Sequence, residues 1–289
     1  MSSFSHEQQK FIKQGERNTA KLQAMVKHSL GLSNQEVESK RHTYIFSPPG
    51  AGKTYTVQSI ADAAKVPLIK IQGASSLNAF VIKLATAVYA HQQGHLCCPN
   101  GLTIWIDDCD SLFMDAEALN VMKGALDEER NIVSYNKNLT MLINNYLKSE
   151  SSSDQFIGMA LSSFQTSGSV GLEIPTTNVR FIITSNRQLT APSEDLNTAK
   201  KMHSAAIRDR VSYKAFDLKR NEQWGWVASV AMSTDVYKLS AAKKTELLVW
   251  MYDNWDNLPA TSMRAVKELA AMMVNNKTEY LSDWDMYLN

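Results

Sequence analysis

The spacing of apolar residues changes along the chain, and these changes predict where helices and strands lie. Residues 6–30 are polar, with apolar positions that suit an amphipathic helix ending near Gly31. Short apolar runs rich in β-branched and aromatic residues predict strands at 43–46, 66–72, 102–106 and 179–184. Helical spacing follows the first two runs, at 53–65 and 77–89. Because strands alternate with helices, we expect an α/β fold, with a parallel sheet covered on both faces in three αβα layers.

The last part of the chain has a different pattern. From about Asp217 onward the strand signal disappears, and three or four helical segments rich in Trp, Met, Leu and Ala run to Asn289. We therefore predict three parts: an N-terminal helical segment at 1–40, an αβα domain at 41–211 and a small all-helical domain at 212–289.

The segment between the third and fourth predicted strands, 130–175, is longer than an ordinary loop and should carry structure of its own. Residues 138–147 look helical, and 149–154 form a Ser-rich stretch that we expect to be flexible. Residues 164–174 bracket a candidate hairpin turn at 166–169. The sequence leaves the role of this insertion open.

Composition narrows the class of protein. With 289 residues and 44% hydrophobic content, the chain is long enough to bury a sizeable core. Its 30 Lys and Arg balance 29 Asp and Glu, so the net charge of +1 gives no argument for a nucleic-acid, membrane or acidic partner. The 3 Cys form neither a disulfide framework nor a spaced metal-ligand set. Since no targeting segment or membrane-length apolar run is seen, we expect a cytoplasmic location and no membrane partner.

The strongest chemical signal is at residues 47–54, Ser-Pro-Pro-Gly-Ala-Gly-Lys-Thr, between a predicted strand and a predicted helix. Gly50 and Gly52 let successive backbone N–H groups converge on phosphate oxygens. Lys53 brings a cation to a triphosphate, and Thr54 offers a hydroxyl to Mg²⁺ at the positive end of the following helix. Ser47 stands where the strict pattern has Gly. The loop predicts ATP and Mg²⁺ as ligands.

Two carboxylates, Asp107 and Asp108, directly follow the third predicted strand. Ligands of open α/β sheets bind outside the carboxyl ends of the strands, which is where these two side chains should lie. Asp107 is suited to holding Mg²⁺ through water, and Asp108 to polarising the attacking water in hydrolysis.

Taken together, these motifs resemble the AAA+ ATPase family, whose phosphate loop is joined to an apolar strand ending in Asp-Glu. The resemblance covers most of residues 41–275 and implies oligomeric ATP hydrolysis with a helical lid. The family's polar sensor matches the sequence Thr-Ser-Asn at 184–186, so the resemblance implies that Asn186 orients the lytic water. By the same match, the nucleotide contacts are Pro49, Gly50, Ala51, Gly52, Lys53, Thr54, Tyr55 and Asp107, with Thr54 and Asp107 at the metal.

The family also carries an arginine finger, which acts on the ATP of a neighbouring subunit, and a second sensor in the lid. The segment 206–211 resembles the finger region, and we favour Arg210 over Arg208 as the finger. Arg264 falls where the second sensor contacts the phosphates. Where the family usually has Glu, this chain has Asp108, which is one methylene shorter. We therefore expect hydrolysis to be slow.

The resemblance implies a ring or helical homo-oligomer but leaves the substrate open. Three alternatives stand. The protein remodels another protein, it is a motor or loader on DNA or RNA, or it is an ATP-gated assembly in which slow hydrolysis only times disassembly. The locally basic segment 200–220 fits either nucleic acid or a subunit interface. Compact single-module ATPases of bacteriophages look similar, which extends the expected location to a viral protein in host cytoplasm.

Two weaker signals carry alternatives of their own. Phe80 resembles the pore aromatic of protein-threading members, or is an ordinary core residue of an amphipathic helix. The cluster of His91, His95, Cys97 and Cys98 suggests zinc, although adjacent cysteines suit a tetrahedral site poorly.

Overall fold

The computed structural model describes residues 3–32, 41–50, 52–73, 75–98, 101–166, 171–191, 194–276 and 279–288. Its strands are β1 (Thr43–Phe46), β2 (Leu68–Gln72), β3 (Leu102–Asp107), β4 (Ile132–Tyr135), β5 (Leu172–Pro175), β6 (Val179–Ser185) and β7 (Ser212–Ala215). Its α-helices are α1 (His6–Ser29), α2 (Lys53–Ala64), α3 (Leu77–Gln92), α4 (Ala116–Ala125), α5 (Thr140–Leu147), α6 (Ser152–Ser163), α7 (Ala199–Arg210), α8 (Arg220–Ser233), α9 (Ala241–Asp253), α10 (Met263–Asn275) and α11 (Tyr280–Tyr287).

The chain forms two compact units. The sheet unit consists of Met25–Phe46 and Val57–Ala215. The helical unit consists of Met1–Ala24, Ser47–Thr56 and Phe216–Asn289. The phosphate loop therefore groups with the helices that end the chain, and α1 and α2 each contribute to both units.

The sheet unit is built on five strands in the order β2-β3-β6-β1-β7, and every neighbouring pair is parallel. The register aligns Phe46 with Ser185 and Asp107 with Thr184, so these strands end at a common edge. The predicted α/β class is confirmed. β7 was not predicted because it has only four residues, Ser-Tyr-Lys-Ala, without the apolar run that marks the other strands.

The core of the sheet unit comes from strands that are buried on both faces. All six positions of β3 are buried, and Ile104 and Ile106 are fully inaccessible. Burying one such side chain is worth roughly 1.5–3 kcal/mol, which is why these strands read as continuous apolar runs. Phe80 is also fully buried in this core, on α3, so the pore position suggested for it is wrong and the core interpretation holds.

The insertion between β3 and β6 contains an antiparallel pair, β4 with β5, and a helical hairpin of α5 and α6 between them. The expected flexible stretch at 149–154 is wrong. Ser151 caps α6, because its side chain accepts a hydrogen bond from the backbone N–H of Asp154. The expected hairpin has an antiparallel bridge between Gln165 and Leu172, while residues 167–170 lie outside the described part of the chain.

The helical unit packs α8 to α11 around large aromatic side chains. Trp224 and Trp284 are fully buried, and each indole N–H donates to a helix carbonyl, to Leu248 and Leu269 respectively, at 3.0 Å. Since a buried indole needs an acceptor for its N–H, these bonds allow the rings to fill the core without an unpaired donor. The predicted C-terminal helices are confirmed.

Within the same unit, α1 and α8 cross at two glycines. A Cβ added at Gly15 would lie 2.4 Å from the carbonyl oxygen of Gly225, and one added at Gly225 would lie 2.3 Å from that of Phe11. Both distances are far shorter than a carbon–oxygen contact allows. The absence of side chains therefore sets the distance between the two helices.

We expect Gly15→Ala to lower the free energy of unfolding by about 1–3 kcal/mol, because the new methyl group has no room. Urea denaturation measures the effect. Gly124→Ala on α4 is the matched control, since its Cβ would meet only the carbonyl oxygen of Ile132 at 3.6 Å. That control should be neutral or stabilising by up to about 1 kcal/mol. If both variants were equally stable, the close approach of α1 and α8 at Gly15 would be contradicted.

His42 is a fully buried titratable group at the start of β1. Its Nδ1 accepts the backbone N–H of Phe181 at 3.2 Å, which requires that nitrogen to be unprotonated. Burial, followed by the nearby Arg41 and Arg180 guanidinium groups, lowers the pKa of His42 to about 3. The unfolded chain takes up this proton below pH about 6.5 and the folded chain does not. Stability from this group is therefore present above that pH and is lost as pH falls towards 3.

We expect the wild-type protein to lose about 2 kcal/mol of stability through His42 between pH 7.5 and pH 5. His42→Asn should reduce the pH dependence by that amount, as measured by urea denaturation at both pH values. His95→Asn changes an exposed histidine and should keep the wild-type dependence. An unchanged pH dependence in His42→Asn would assign the acid sensitivity to other groups.

Candidate nucleotide site

The predicted phosphate loop follows β1 directly and leads into α2. Gly50 and Gly52 have φ angles of 84° and 75°, in the left-handed region that glycine tolerates and most residues do not. Lys53, the first residue of α2, is almost buried, and its Nζ donates to the carbonyl oxygen of Ser47 at 2.8 Å and to its hydroxyl at 3.0 Å. Ser47 thus supplies a side-chain ligand for the lysine that glycine would lack. Ala51 lies outside the described residues.

The loop packs against the start of α10, which belongs to the same unit. A Cβ added at Gly50 would lie 2.3 Å from the Cβ of Ser262, the residue that caps α10. Gly50 is therefore required both by its φ angle and by this contact. Sequence analysis assigned it only the first reason.

Gln223, in the first turn of α8, joins the loop to the same helix start. Its Nε2 donates to the carbonyl oxygen of Pro49 at 3.3 Å and to the carbonyl and hydroxyl oxygens of Thr261 at 3.1 and 3.2 Å. Sequence analysis missed this residue, because a glutamine on an amphipathic helix carries no signal of the loop it contacts. Within the helical unit, Gln223 links the loop to the cap of α10.

The other predicted site residues of the helical unit lie in the first turns of α2 and α10. Arg264 is exposed in the first turn of α10, where its backbone N–H donates to the Ser262 hydroxyl at 3.2 Å. Thr54 is half-buried on α2, and Tyr55 leaves 63% of its surface exposed. The loop, Thr54 and Arg264 thus belong to one unit, and their roles as phosphate ligands stay predictions.

In the sheet unit, Asp107 ends β3 with its carboxylate fully buried. The hydroxyl of Thr184 on β6 donates to Oδ1 at 2.7 Å, and Nζ of Lys70 on β2 forms an ion pair with Oδ2 at 3.0 Å. Partners on both neighbouring strands therefore fix the orientation of the carboxylate. Lys70 was not predicted, although a lysine within the apolar run Leu-Ile-Lys-Ile-Gln was a usable signal.

Asp108 begins the chain beyond β3 and has a φ angle of 51°. Its backbone N–H donates to the carbonyl oxygen of Thr184 at 3.0 Å, and the side-chain amide of Asn186 donates to its Oδ1 at 3.2 Å. The structure thus brings together the two residues that sequence analysis assigned to the attacking water. Asp108 is exposed, so its carboxylate is open to a water molecule.

Asn186 lies between two residues, Ser185 and Arg187, whose hydrogen bonds were not predicted from the sequence. The Ser185 hydroxyl donates to Asp110 at 2.6 Å and accepts the backbone N–H of Arg187 at 3.0 Å. The hydroxyl of Tyr44 donates to the carbonyl oxygen of Arg187 at 2.9 Å. The residues on either side of Asn186 are therefore fixed by side chains from β1 and from the turn after β3.

The two candidate finger arginines differ in their surroundings. Arg208 donates to the carbonyl oxygen of Leu189 at 3.1 Å, and its guanidinium lies 4.3 Å from the centre of the Tyr213 ring. Such contacts on two sides suit a structural role within the subunit.

Arg210 ends α7 and forms an ion pair with Asp127 at 3.2 Å, at a cavity of about 480 Å³ that is also lined by Lys123, Arg130 and Glu173. The backbone N–H of Arg130, and then the Arg210 side chain, lower the pKa of Asp127. Asp127 therefore keeps its charge as a partner for Arg210. Arg210 is half-buried, as Arg208 is, and also donates to the carbonyl oxygen of Ala206 at 3.1 Å, so the preference for Arg210 as the finger stays a prediction.

The donor set fits a magnesium ion that arrives with a nucleotide. Mg²⁺ prefers oxygen ligands, and the two predicted ligands are the Thr54 hydroxyl and the Asp107 carboxylate. Within the described ranges, no cluster of three or more His, Cys, Asp and Glu side chains could hold a metal by itself. The zinc alternative for His91, His95, Cys97 and Cys98 is therefore unsupported.

The chain has a parallel sheet of this order, a glycine loop with Lys53 after β1 and carboxylates at the end of β3. Together these features define a P-loop nucleotide-binding protein. The profile of one family, described as "ATPase family associated with various cellular activities (AAA)", matches residues 43–206, and the chain belongs to this family. No curated protein matches the sequence. The helices that the structure describes include none long and apolar enough to cross a membrane.

We expect Gln223→Ala to weaken nucleotide binding about 3- to 10-fold, because losing the hydrogen bonds to Pro49 and Thr261 loosens the loop. Equilibrium titration with a fluorescent ATP analogue measures the affinity. Asn221→Ala removes a neighbouring amide that accepts from Arg220 and should bind as the wild type does. Equal affinities in all three proteins would remove Gln223 from the site.

Proposed function

We propose that the protein binds ATP with Mg²⁺ and hydrolyses it as an oligomer, using the energy to remodel a macromolecular substrate. Membership of the AAA family implies ATP-driven activity. The observation that carries the step from binding to hydrolysis is the hydrogen bond between Asn186 and Asp108. It joins the two groups that such a reaction needs around its attacking water.

ATP binding is assigned to the loop at 47–54. Backbone N–H groups around Gly50 and Gly52 would receive the phosphates, and Lys53 would exchange its bonds to Ser47 for phosphate oxygens. Arg264 would add a second cation from α10, a role supported by the contact of that helix's cap with Gly50. Pro49, Ala51 and Tyr55 complete the proposed nucleotide contacts.

Thr54 and Asp107 would hold the magnesium ion, Asp107 through water because both of its oxygens already have protein partners. Bound there, Mg²⁺ would neutralise charge that develops on the phosphate oxygens. Asp107 contributes a fixed negative charge in a buried position.

For hydrolysis, Asp108 would accept a hydrogen bond, and then the proton, from the attacking water, while Asn186 holds the Asp108 carboxylate and the water in place. The aspartate side chain is shorter than the family's usual glutamate, so we keep the expectation of slow turnover. The proposed base is exposed, which supports access by water.

Arg210 would act on the ATP of a neighbouring subunit. AAA proteins typically work as oligomers, and an arginine supplied by a neighbour stabilises charge in the transferring phosphoryl group. About a third of the Arg210 side chain is accessible, and its ion pair with Asp127 orients it at the end of α7. We assign Arg208 a supporting role, because its guanidinium lies against Tyr213.

We expect Asp108→Asn to lower the rate of phosphate release from ATP at least about 100-fold while ATP binding stays intact. Asn186→Ala should lower the rate less, by about 10-fold. Asp195→Asn changes an exposed carboxylate elsewhere in the sheet unit and should leave the rate of phosphate release unchanged. Equal rates in wild type and Asp108→Asn would exclude Asp108 as the base.

Mixing two inactive variants tests the oligomer. Arg210→Ala should lose about 10³-fold in rate, and Lys53→Ala should not bind ATP. Mixed subunits should recover activity, because the intact Arg210 of one variant can face the intact loop of the other. No recovery at any mixing ratio would argue against action between subunits.

Measuring phosphate release from ATP with different macromolecules added identifies the class of substrate. Stimulation by an unfolded protein supports protein remodelling, and stimulation by DNA or RNA alone would replace it with a nucleic-acid motor or loader. If none of these additions changes the rate of phosphate release, the result would favour an assembly whose disassembly is timed by ATP hydrolysis.

A further inference from the structure

Lys70 is a charged residue in the middle of a strand whose neighbours are apolar. β2 reads Leu-Ile-Lys-Ile-Gln, and only 29% of the Lys70 side chain is accessible. Placing a lysine where its charge is partly desolvated costs free energy unless a partner compensates it. The parallel register with β3 sets Lys70 opposite Trp105 and Gln72 opposite Asp107.

The contacts of Lys70 form a closed ring of four side chains. Its Nζ lies 3.0 Å from Oδ2 of Asp107 and 4.1 Å from the centre of the Trp105 ring. The Trp105 indole N–H donates to the Thr184 hydroxyl at 3.0 Å, and that hydroxyl donates to Oδ1 of Asp107 at 2.7 Å. Each oxygen of the carboxylate thus has its own partner, so the carboxylate cannot rotate without breaking a contact.

This arrangement has an electrostatic consequence at the proposed magnesium ligand. A lysine charge in direct contact with the Asp107 carboxylate repels any second cation that approaches the same group. The carboxylate is fully buried, so water screens this repulsion only weakly. The geometry that orients Asp107 therefore also weakens its attraction for a metal ion.

We propose that Lys70 is a positioning residue that sets the divalent-cation affinity of the nucleotide site: it holds Asp107 in one orientation and lowers the affinity for the metal. This inference rests on the proposed function, since it takes Asp107 as a magnesium ligand. A purely structural lysine would only support the packing of β2 against β3, and its loss would reduce stability without changing metal affinity.

The test is a titration with Mn²⁺, an oxygen-binding substitute for Mg²⁺, in the presence of a non-hydrolysable ATP analogue. Electron paramagnetic resonance counts the free Mn²⁺, so the readout does not depend on turnover, and binding by the protein is the loss of free Mn²⁺ beyond that caused by the analogue alone, which itself binds the ion. We expect Lys70→Met and Lys70→Gln to bind Mn²⁺ about tenfold more tightly than wild type, because the competing charge is gone. Lys70→Arg keeps the charge and should bind as wild type does.

Lys137→Met is the matched control, because Lys137 also pairs with a carboxylate, Glu117 at 2.9 Å, and also lies over an aromatic ring, that of Tyr135. It should leave Mn²⁺ affinity unchanged. Lys70→Gln retains a hydrogen-bond donor for Asp107 and covers the case in which Lys70→Met fails to fold.

Two failures are distinguishable. If wild type binds Mn²⁺ with the analogue but neither neutral variant binds it more tightly, the role of Lys70 is overturned and the proposed function stands. If wild type itself binds no Mn²⁺ with the analogue, the proposed nucleotide site fails first, and the inference fails with it.

Discussion

The parallel pairing of β3 with β6 is the constraint on which the candidate chemistry of the sheet unit depends. It sets Asp107 level with Thr184, so that one hydroxyl can bind the buried carboxylate. It also lets the backbone of Asp108 continue the pairing by one bond, to the carbonyl oxygen of Thr184, before the chain turns. Asn186 then emerges two residues after Thr184, within reach of Asp108. A shift of one residue in this register would turn the side chains of one strand to the opposite face from those of the other, and would separate Asp107 from Thr184.

How far the sequence predicts this protein depends on whether the determining interactions are local. The loop at 47–54 and the aspartates after β3 are visible because their chemistry lies in consecutive residues. Lys70 and Gln223 are joined to the candidate site by partners distant in sequence, Asp107 in one case and Pro49 in the other. No periodicity encodes such a pair. The capped helix that begins at Ser152 was missed for another reason, since serines favour both helix caps and loops.

The two arginines at the end of α7 illustrate the same limit. They lie two residues apart, so they point in different directions around the helix. Arg208 contacts Tyr213 on β7, a strand that was not predicted because it lacks an apolar run, whereas Arg210 contacts Asp127 beyond α4. Sequence analysis favoured Arg210 over Arg208 without knowing the partner of either. The structure separates them by their partners, the Tyr213 ring for one and the Asp127 carboxylate for the other.

The backbone at Asp108 also bears on the choice between aspartate and glutamate. Its φ angle of 51° lies in the left-handed region, where aspartate and asparagine are tolerated better than longer side chains. Exchanging Asp108 for the family's usual glutamate would therefore lengthen the side chain at a position whose backbone favours the shorter one, at a cost of about 1 kcal/mol. Side-chain length and backbone conformation have to change together here.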